Sequence, residues 1–232
     1  MSFVIPQHQD LYRMPVGRRS IKSMNRLANV GHEEVAFPQQ VHRAIGCRES
    51  WAVFGPGRRW RYRLVRVWDS DKPRLAWVVF NGSGADGHRN DPTVRRCIGF
   101  ARAWGYGGVD IANLYGLVSK NPGALGHHFD PVGPDNDRHL AAVCSENDLT
   151  VLAWGPNADT DRAHAVAQML RRLAKRHGGS LAVLAWTHGA SPIHPLLAPT
   201  DTTPKCLTLS ESGCGLPEAE DPRWGHLLAG AA

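Results

Sequence analysis

The chain has 232 residues, 42% of them hydrophobic, and a formal net charge of +6. That is enough for one sizeable core, and no apolar run approaches the roughly 18–20 residues of a membrane span. No long apolar stretch follows a basic start, and the five cysteines form no Cys-x-x-Cys, which argues against a signal peptide, a disulfide framework and a zinc ribbon, so a soluble cytoplasmic protein is expected.

The charge is unevenly placed. Residues 1–66 hold twelve Lys/Arg against four Asp/Glu, whereas residues 67–232 hold fifteen against seventeen. Residues 1–50, with scattered charge and three prolines, read as a basic extension that wraps the domain or reaches a partner. A one-sided basic excess is the footprint of a phosphate-binding surface, and a solvated arm is the plainer alternative. Next, 51–54 and 58–68 flank a Gly55-Pro56-Gly57 turn and predict a β-hairpin. Its second strand interleaves Trp60, Tyr62, Leu64 and Val65 with Arg58, Arg59, Arg61, Arg63 and Arg66. This predicts one apolar and one basic face, either for DNA or as a charged edge that resists edge-to-edge pairing.

From residue 73 onward, strands alternate with helices. Strand 75–80 enters the loop Asn81-Gly82-Ser83-Gly84-Ala85-Asp86. Asp91 and Pro92 supply an N-cap and a first helical residue for helix 94–104, which stops at Gly105. Strand 109–112 runs into Asn113, and the long loop 114–134 carries His127-His128 and Asp130-Pro131. Helix 135–145, strand 149–153, helix 161–177 and strand 181–185 follow, and the tail from Thr187 reads as packed loops. This alternation predicts a three-layer α/β/α sandwich with a mostly parallel central sheet.

In such a sheet, ligands bind beyond the carboxyl ends of the strands, which would bring Asn81, Asn113 and His194 to one edge. The 81–86 loop is neither a P-loop nor a dinucleotide fingerprint, but its glycines let backbone amides approach a ligand, and Asn81 and Asp86 add polar groups. Arg95, in the first helical turns beside it, is placed for a phosphate or for pairing with a nearby Asp, and Arg96 reads as a paired surface arginine. Asn113 at a pocket rim can read the edge of a nucleobase. His194 can assist a leaving group, whereas Trp154 and Trp186 read as core. Adjacent histidines rarely ligate one ion, so neither a metal nor another cofactor is expected.

These motifs carry a resemblance. Residues 61–197 resemble the bacterial and phage family called Domain of Unknown Function 1643. Its members read roughly Asn-Pro-Ser-Thr-Ala-Asp, Asp-Pro-Thr with an arginine pair, Trp-Gly-Tyr-Gly-Gly, Asn-Leu, Asp-Pro-Val-Gly-Pro, Trp-Gly and His-Pro-Leu. Here these are 81–86, 91–96, 104–108, 113–114, 130–134, 154–155 and 194–196. Gly82 and Gly84 stand where the family usually has Pro and Thr. More distantly, the motif order is similar to the uracil-DNA glycosylase superfamily. That resemblance implies a glycosylase-like fold, with Asn81 positioning water or sugar, Asn113 binding a flipped base, and His194 facing the leaving group. Asp86 would activate water where Asn81 only orients it. Ser83, Gly82 and Gly84 would line the base pocket, with the two glycines making room for a substituent. Arg58, Arg59, Arg61 and Arg95 would hold DNA phosphates.

The expected activity is therefore hydrolysis of the N-glycosidic bond of a modified pyrimidine in DNA, such as the hydroxymethylated or glucosylated bases of phage genomes, in antiviral defence. The alternatives are an enzyme on free nucleosides or nucleotides and a non-catalytic nucleic-acid-binding module.

Overall fold

Four strands are apolar almost end to end, the pattern of strands covered on both faces. They are β3 (Arg74–Gly82), β4 (Gly108–Val118), β5 (Leu149–Ala153) and β6 (Ser180–Val183). A computed structural model describes residues 46–119, 121–211 and 217–229. In it these strands pair in parallel, in the order β4-β3-β5-β6. Outside β4 lie the antiparallel strands β2 (Arg61–Val67) and β1 (Glu49–Phe54), and β7 (Lys205–Cys206) closes the far edge antiparallel to β6. The result is a mixed seven-stranded sheet, parallel in its centre. The basic extension expected over residues 1–50 falls almost wholly outside the described residues.

Side-chain alternation sends each strand's residues to two cores. Leu75, Trp77 and Val79 of β3 pack with Val94, Cys97 and Phe100 of α1 (Pro92–Ala103). Ala76, Val78 and Phe80 face the other way, where α2 (Asn136–Ser145), α3 (Thr160–His177) and α4 (Pro222–Ala229) contribute Leu140, Val166, Leu170, Trp224 and Leu227. The helix ends follow the expected chemistry. Asp91 accepts from the Val94 amide and Asp159 from the Arg162 amide, and Gly178 closes α3 at φ +75°.

Three expectations need correcting. The strand expected over 109–112 continues to Val118, because β3 and Trp60 keep supplying backbone partners. Asn113 is therefore inside a strand, not at its end. The tail is not only loops. It forms β7, a hairpin of β8 (Leu209–Glu211) and β9 (Pro217–Ala219), and α4, whose Trp224 is buried against the edge of Trp186 with ring centroids 5.0 Å apart.

The third concerns the basic face of β2, which is not a surface: all seven of its residues are buried. The pairing of β1 with β2 skips Tyr62, a bulge that sets Leu64 opposite Ile111 in one core and Arg63 opposite Ala112 on the other side. Arg63 donates to both oxygens of Asp110, at 2.8 and 2.5 Å, and also pairs with Glu146 at the end of α2. Asn147 donates to Asp110 as well, at 3.3 Å. Burial alone would lower the pKa of the Arg63 guanidinium, but the hydrogen bonds to Asp110 and Glu146 outweigh it and raise it. Removing one partner leaves a buried charge uncompensated. The Asp110→Ala variant is expected to lose about 3–5 kcal/mol of unfolding free energy, read as a lower denaturant midpoint.

Candidate functional site

Along the chain β4 lies to one side of β3 and β5 to the other, so the direction of winding reverses at β3. A crevice is expected at the carboxyl ends of these strands. A cleft of about 550 Å³ lies there, on the α2–α3 face, within the roughly 300–1,000 Å³ of small-ligand sites. Phe80 comes from the end of β3 and Tyr115 from β4, and Pro156, Asn157, Ala158 and Asp159 follow β5. The turn after β4 adds Leu125, Gly126, Pro131 and Val132, and α3 adds Arg162. Phe80 and Tyr115 meet edge to face, with centroids 5.3 Å apart and planes at 72°.

The polar groups of this cleft form one connected chain. The Tyr115 hydroxyl accepts from the Asp159 amide at 3.1 Å, leaving its own proton for another acceptor. Burial raises the Tyr115 pKa, and the amide bond from Asp159 opposes that without reversing it, so the phenol stays protonated at neutral pH. Asp159 Oδ1 accepts from the Arg162 amide at 2.9 Å. Arg162 donates to the Leu114 carbonyl at 3.1 and 3.0 Å and grips both oxygens of Asp137 on α2 at 3.1 and 2.5 Å.

Most of the residues expected at the site lie around the other face, near the start of α1. Asn81 is within β3, and its amide donates to the carbonyls of Gly82 and Ser119, at 3.0 and 2.9 Å, tying the ends of β3 and β4 together. Asn113 is fully buried. Its Nδ2 donates to the Arg61 carbonyl at 2.7 Å, and Oδ1 lies 3.5 Å from the Arg61 guanidinium, so this side chain is enclosed and is not at a pocket rim. Asp86 Oδ1 accepts from the amides of His88 and Arg89, both at 2.8 Å. Burial would raise its pKa, but these two amides outweigh it and hold it low. Ser83 donates to Asp91, the cap of α1. Gly84 is exposed. A Cβ on Gly82 would lie 3.3 Å from Arg61 Cβ and 3.4 Å from Val118, so this glycine answers to strand packing and neither glycine lines the cleft.

The arginines divide in the same way. Arg58 and Arg59 are exposed on the turn before β2, and the Arg59 carbonyl accepts from the Val118 amide at 2.8 Å, which places them at the carboxyl end of β4. Arg95 is exposed and donates to the Asn90 carbonyl at 2.6 Å. Arg61 is only 1% exposed and donates to the Ala85 carbonyl at 2.9 Å, so the phosphate contact expected of it is ruled out by burial. Burial in turn lowers its pKa to about 10. Arg66 holds the same loop through Asn90 and the carbonyls of Asp86 and Arg89.

His194 joins the two regions. It caps a short 3-10 turn, and a Cβ on Gly155, which sits at φ +83° just before the cleft wall, would lie 3.2 Å from His194 Cβ. Arg96 holds this loop by the carbonyls of Pro195 and Ala198. The His194 Nδ1 accepts from the Leu196 amide at 3.3 Å, a bond that only the neutral ring can make. Beside it, Leu196 and Leu197 are exposed by 49% and 63%. Among the described residues, no group of three or more His, Cys, Asp or Glu is placed to hold a metal ion. No helix among them is long and apolar enough to cross a membrane.

Sequence reasoning passed over Phe80, Tyr115, Asp159 and Arg162. Phe80 ends an apolar run, Tyr115 lies beyond the expected end of its strand, and Asp159 lies outside the helix expected over 161–177, which it caps in the structure. The available signal was the polar segment Pro156-Asn157 directly after the Trp154-Gly155 strand end.

Burial lowers the His194 pKa, with the charge of Asp91 partly opposing it. A histidine whose pKa is lower folded than unfolded contributes stability above the unfolded value, about 6.5, which is lost as pH falls through the folded value. The His194 ring is expected to titrate below about 6.5 by NMR, with the Leu196 amide losing protection from exchange in the same step.

A family model described as "Protein of unknown function (DUF1643)" matches residues 61–196. No curated protein and no solved structure matches the chain. The matched stretch begins at Arg61, ends two residues beyond His194 and contains every residue that lines the cleft; the chain belongs to the DUF1643 family.

Proposed function

We propose that this protein hydrolyses the N-glycosidic bond of a base in DNA. The observation that carries the reading is the cleft at the carboxyl ends of β3, β4 and β5, where an aromatic pair, a protonated phenol and a carboxylate converge. An aromatic wall suits the face of a nucleobase, and the Tyr115 hydroxyl can donate to a carbonyl oxygen of the base. A base stacked inside a duplex cannot reach such a pocket, so the target base is bound unstacked, from a single strand or after extrusion. Leu196 and Leu197 are exposed apolar side chains at this edge, of the kind that pack against unstacked bases. The exposed Arg58 and Arg59 supply charge for the phosphates. The motif order shared with uracil-DNA glycosylases and the parallel centre of the sheet agree with a glycosylase-like fold.

In the reaction, water adds to the sugar C1′. The bond to the base breaks with its electron pair leaving on the base, through an oxocarbenium-like sugar. Asp159 is the carboxylate in the cleft. It orients the water and takes its proton, while its charge steadies the developing cation. Asp86 is engaged by two loop amides and serves as an anchor. Asn81 holds the strand ends beside Phe80, and His194, on the α1 side, packs behind Gly155 just before the cleft wall. The cleft, about 550 Å³, has room for a base with or without a substituent of the kind found in modified phage DNA. Excision from such a genome would leave abasic sites and serve defence.

The test is release of free base from ordinary DNA, uracil-containing DNA, and phage DNA with hydroxymethyl- and glucosyl-pyrimidines, each as duplex and as single strand. Abasic sites are scored by alkaline cleavage and the base by mass spectrometry. Asp159→Asn keeps a good helix cap and is expected to leave the fold intact while slowing release by about 10²-fold or more. No release from any of these substrates would remove the reading.

A further inference from the structure

The turn that walls the cleft has a second side. Leu125 and Gly126 face the cleft, while Asn121, Gly123, His127 and His128 from the same turn line a separate cavity of about 400 Å³. Beside it stands Phe129, 83% exposed, the most exposed of the large hydrophobic side chains described. Phe129 does not stand alone. Its ring lies 4.8 Å from that of His128 with planes at 25°, a stacked pair, and His128 meets the edge of Trp60 at 6.2 Å and 87°.

The backing rings are fixed. His128 Nδ1 lies 2.8 Å from the Asp130 carbonyl oxygen and 3.1 Å from its amide, and Trp60 Nε1 donates to the same carbonyl at 3.1 Å. Trp60 is buried and bridges Leu117 at the end of β4. An exposed phenyl ring backed by a stacked imidazole, itself held by a buried indole, presents a rigid flat face to solvent.

We propose that this face is a stacking platform for a base of single-stranded DNA, the nucleotide next to the one taken into the cleft. The inference rests on the glycosylase reading of that cleft and adds the form of its substrate. Three observations select this occupant. The surface is a buttressed ring beside a cavity lined by Asn121, Gly123 and two histidines, which suits the face of a base with its edge toward Asn121 and the histidines. It lies on the other side of a turn that also walls the cleft, so one strand can meet both. Positive charge for the connecting phosphate is at hand, since Arg58 and Arg59 sit at the end of β4, from which this loop departs. A duplex stacks its bases on one another and leaves no free face, so the platform selects a single strand.

The full chain is tested against a fluorescent twelve-nucleotide oligo-dT, the same oligonucleotide in duplex, and oligo-rU, by anisotropy at fixed salt. Tighter binding of the single strand than of the duplex is expected. Phe129→Ala should weaken single-strand binding about tenfold, and Phe129→Trp should restore it. With its side chain largely in solvent, neither change disturbs the core. Unchanged binding by Phe129→Ala, equal binding of duplex, or equal or tighter binding of oligo-rU would each overturn the assignment. The result does not depend on chemistry. Phe129-dependent binding without release of any base would uphold the platform and remove the glycosylase reading alone.

Discussion

A buried guanidinium must find hydrogen-bond partners, and strand β2 buries three. Arg61, Arg63 and Arg66 are each less than 10% exposed. Removing their charge from water costs several kcal/mol per ion, so each must be met by groups already in place. Arg63 is met by Asp110 and Glu146, which fastens β2 to β4 and to the end of α2. Arg61 and Arg66 have no carboxylate in hydrogen-bond contact among the described residues. They are met by the carbonyls of Ala85, Asp86 and Arg89 and by Asn90. The loop between β3 and α1 therefore has one conformation compatible with a folded β2.

That constraint explains why a glycine-rich loop at a strand end is part of the frame here and is not a cradle for a ligand. Its carbonyls face inward to the arginines, and its carboxylates cap amides within the loop and at the start of α1. The loop carrying His194 is held in a similar way, by Arg96 from α1. With both loops fixed on the α1 side, the open part of the carboxyl edge is on the α2–α3 side, where Phe80 and Tyr115 emerge.

The fold was largely legible because its signals are local. Asp91-Pro92, Gly178-Gly179 and the apolar run at 149–153 state their own boundaries in residue type, whereas the run at 181–185 overshoots β6, which ends at Val183. Arg61 and Asn113 were misread for a shared reason. A polar side chain in an apolar run looks like an end or an exposed face, and only the partner across the sheet shows otherwise. Asn113 meets Arg61 across 52 positions of sequence, and Arg63 meets Glu146 across 83. The cleft was missed because its walls come from five segments, and each residue has an adequate local explanation as core, turn or cap. The edge on which it opens was foreseen from strand order alone.

The cleft also shows what a connected polar chain achieves. Tyr115 is oriented by the Asp159 amide, Asp159 by the Arg162 amide, and Arg162 by Asp137 and the Leu114 carbonyl. Each group is held by the next, and the chain ends on α2 and β4, elements packed into the core. Groups held in this way need not reorganise when charge develops on a substrate, which is the condition under which fixed dipoles in a site partly screened from water stabilise a transition state most. Arg162 is neutralised by Asp137 and does not act as a free cation in the cleft, so it sets Asp159 without competing for it. Among the described residues, Asp159 is the only carboxylate lining the cleft; its Oδ1 caps its own helix and its Oδ2 makes no hydrogen bond among them. This is the arrangement expected where a carboxylate must meet a water and a developing positive charge.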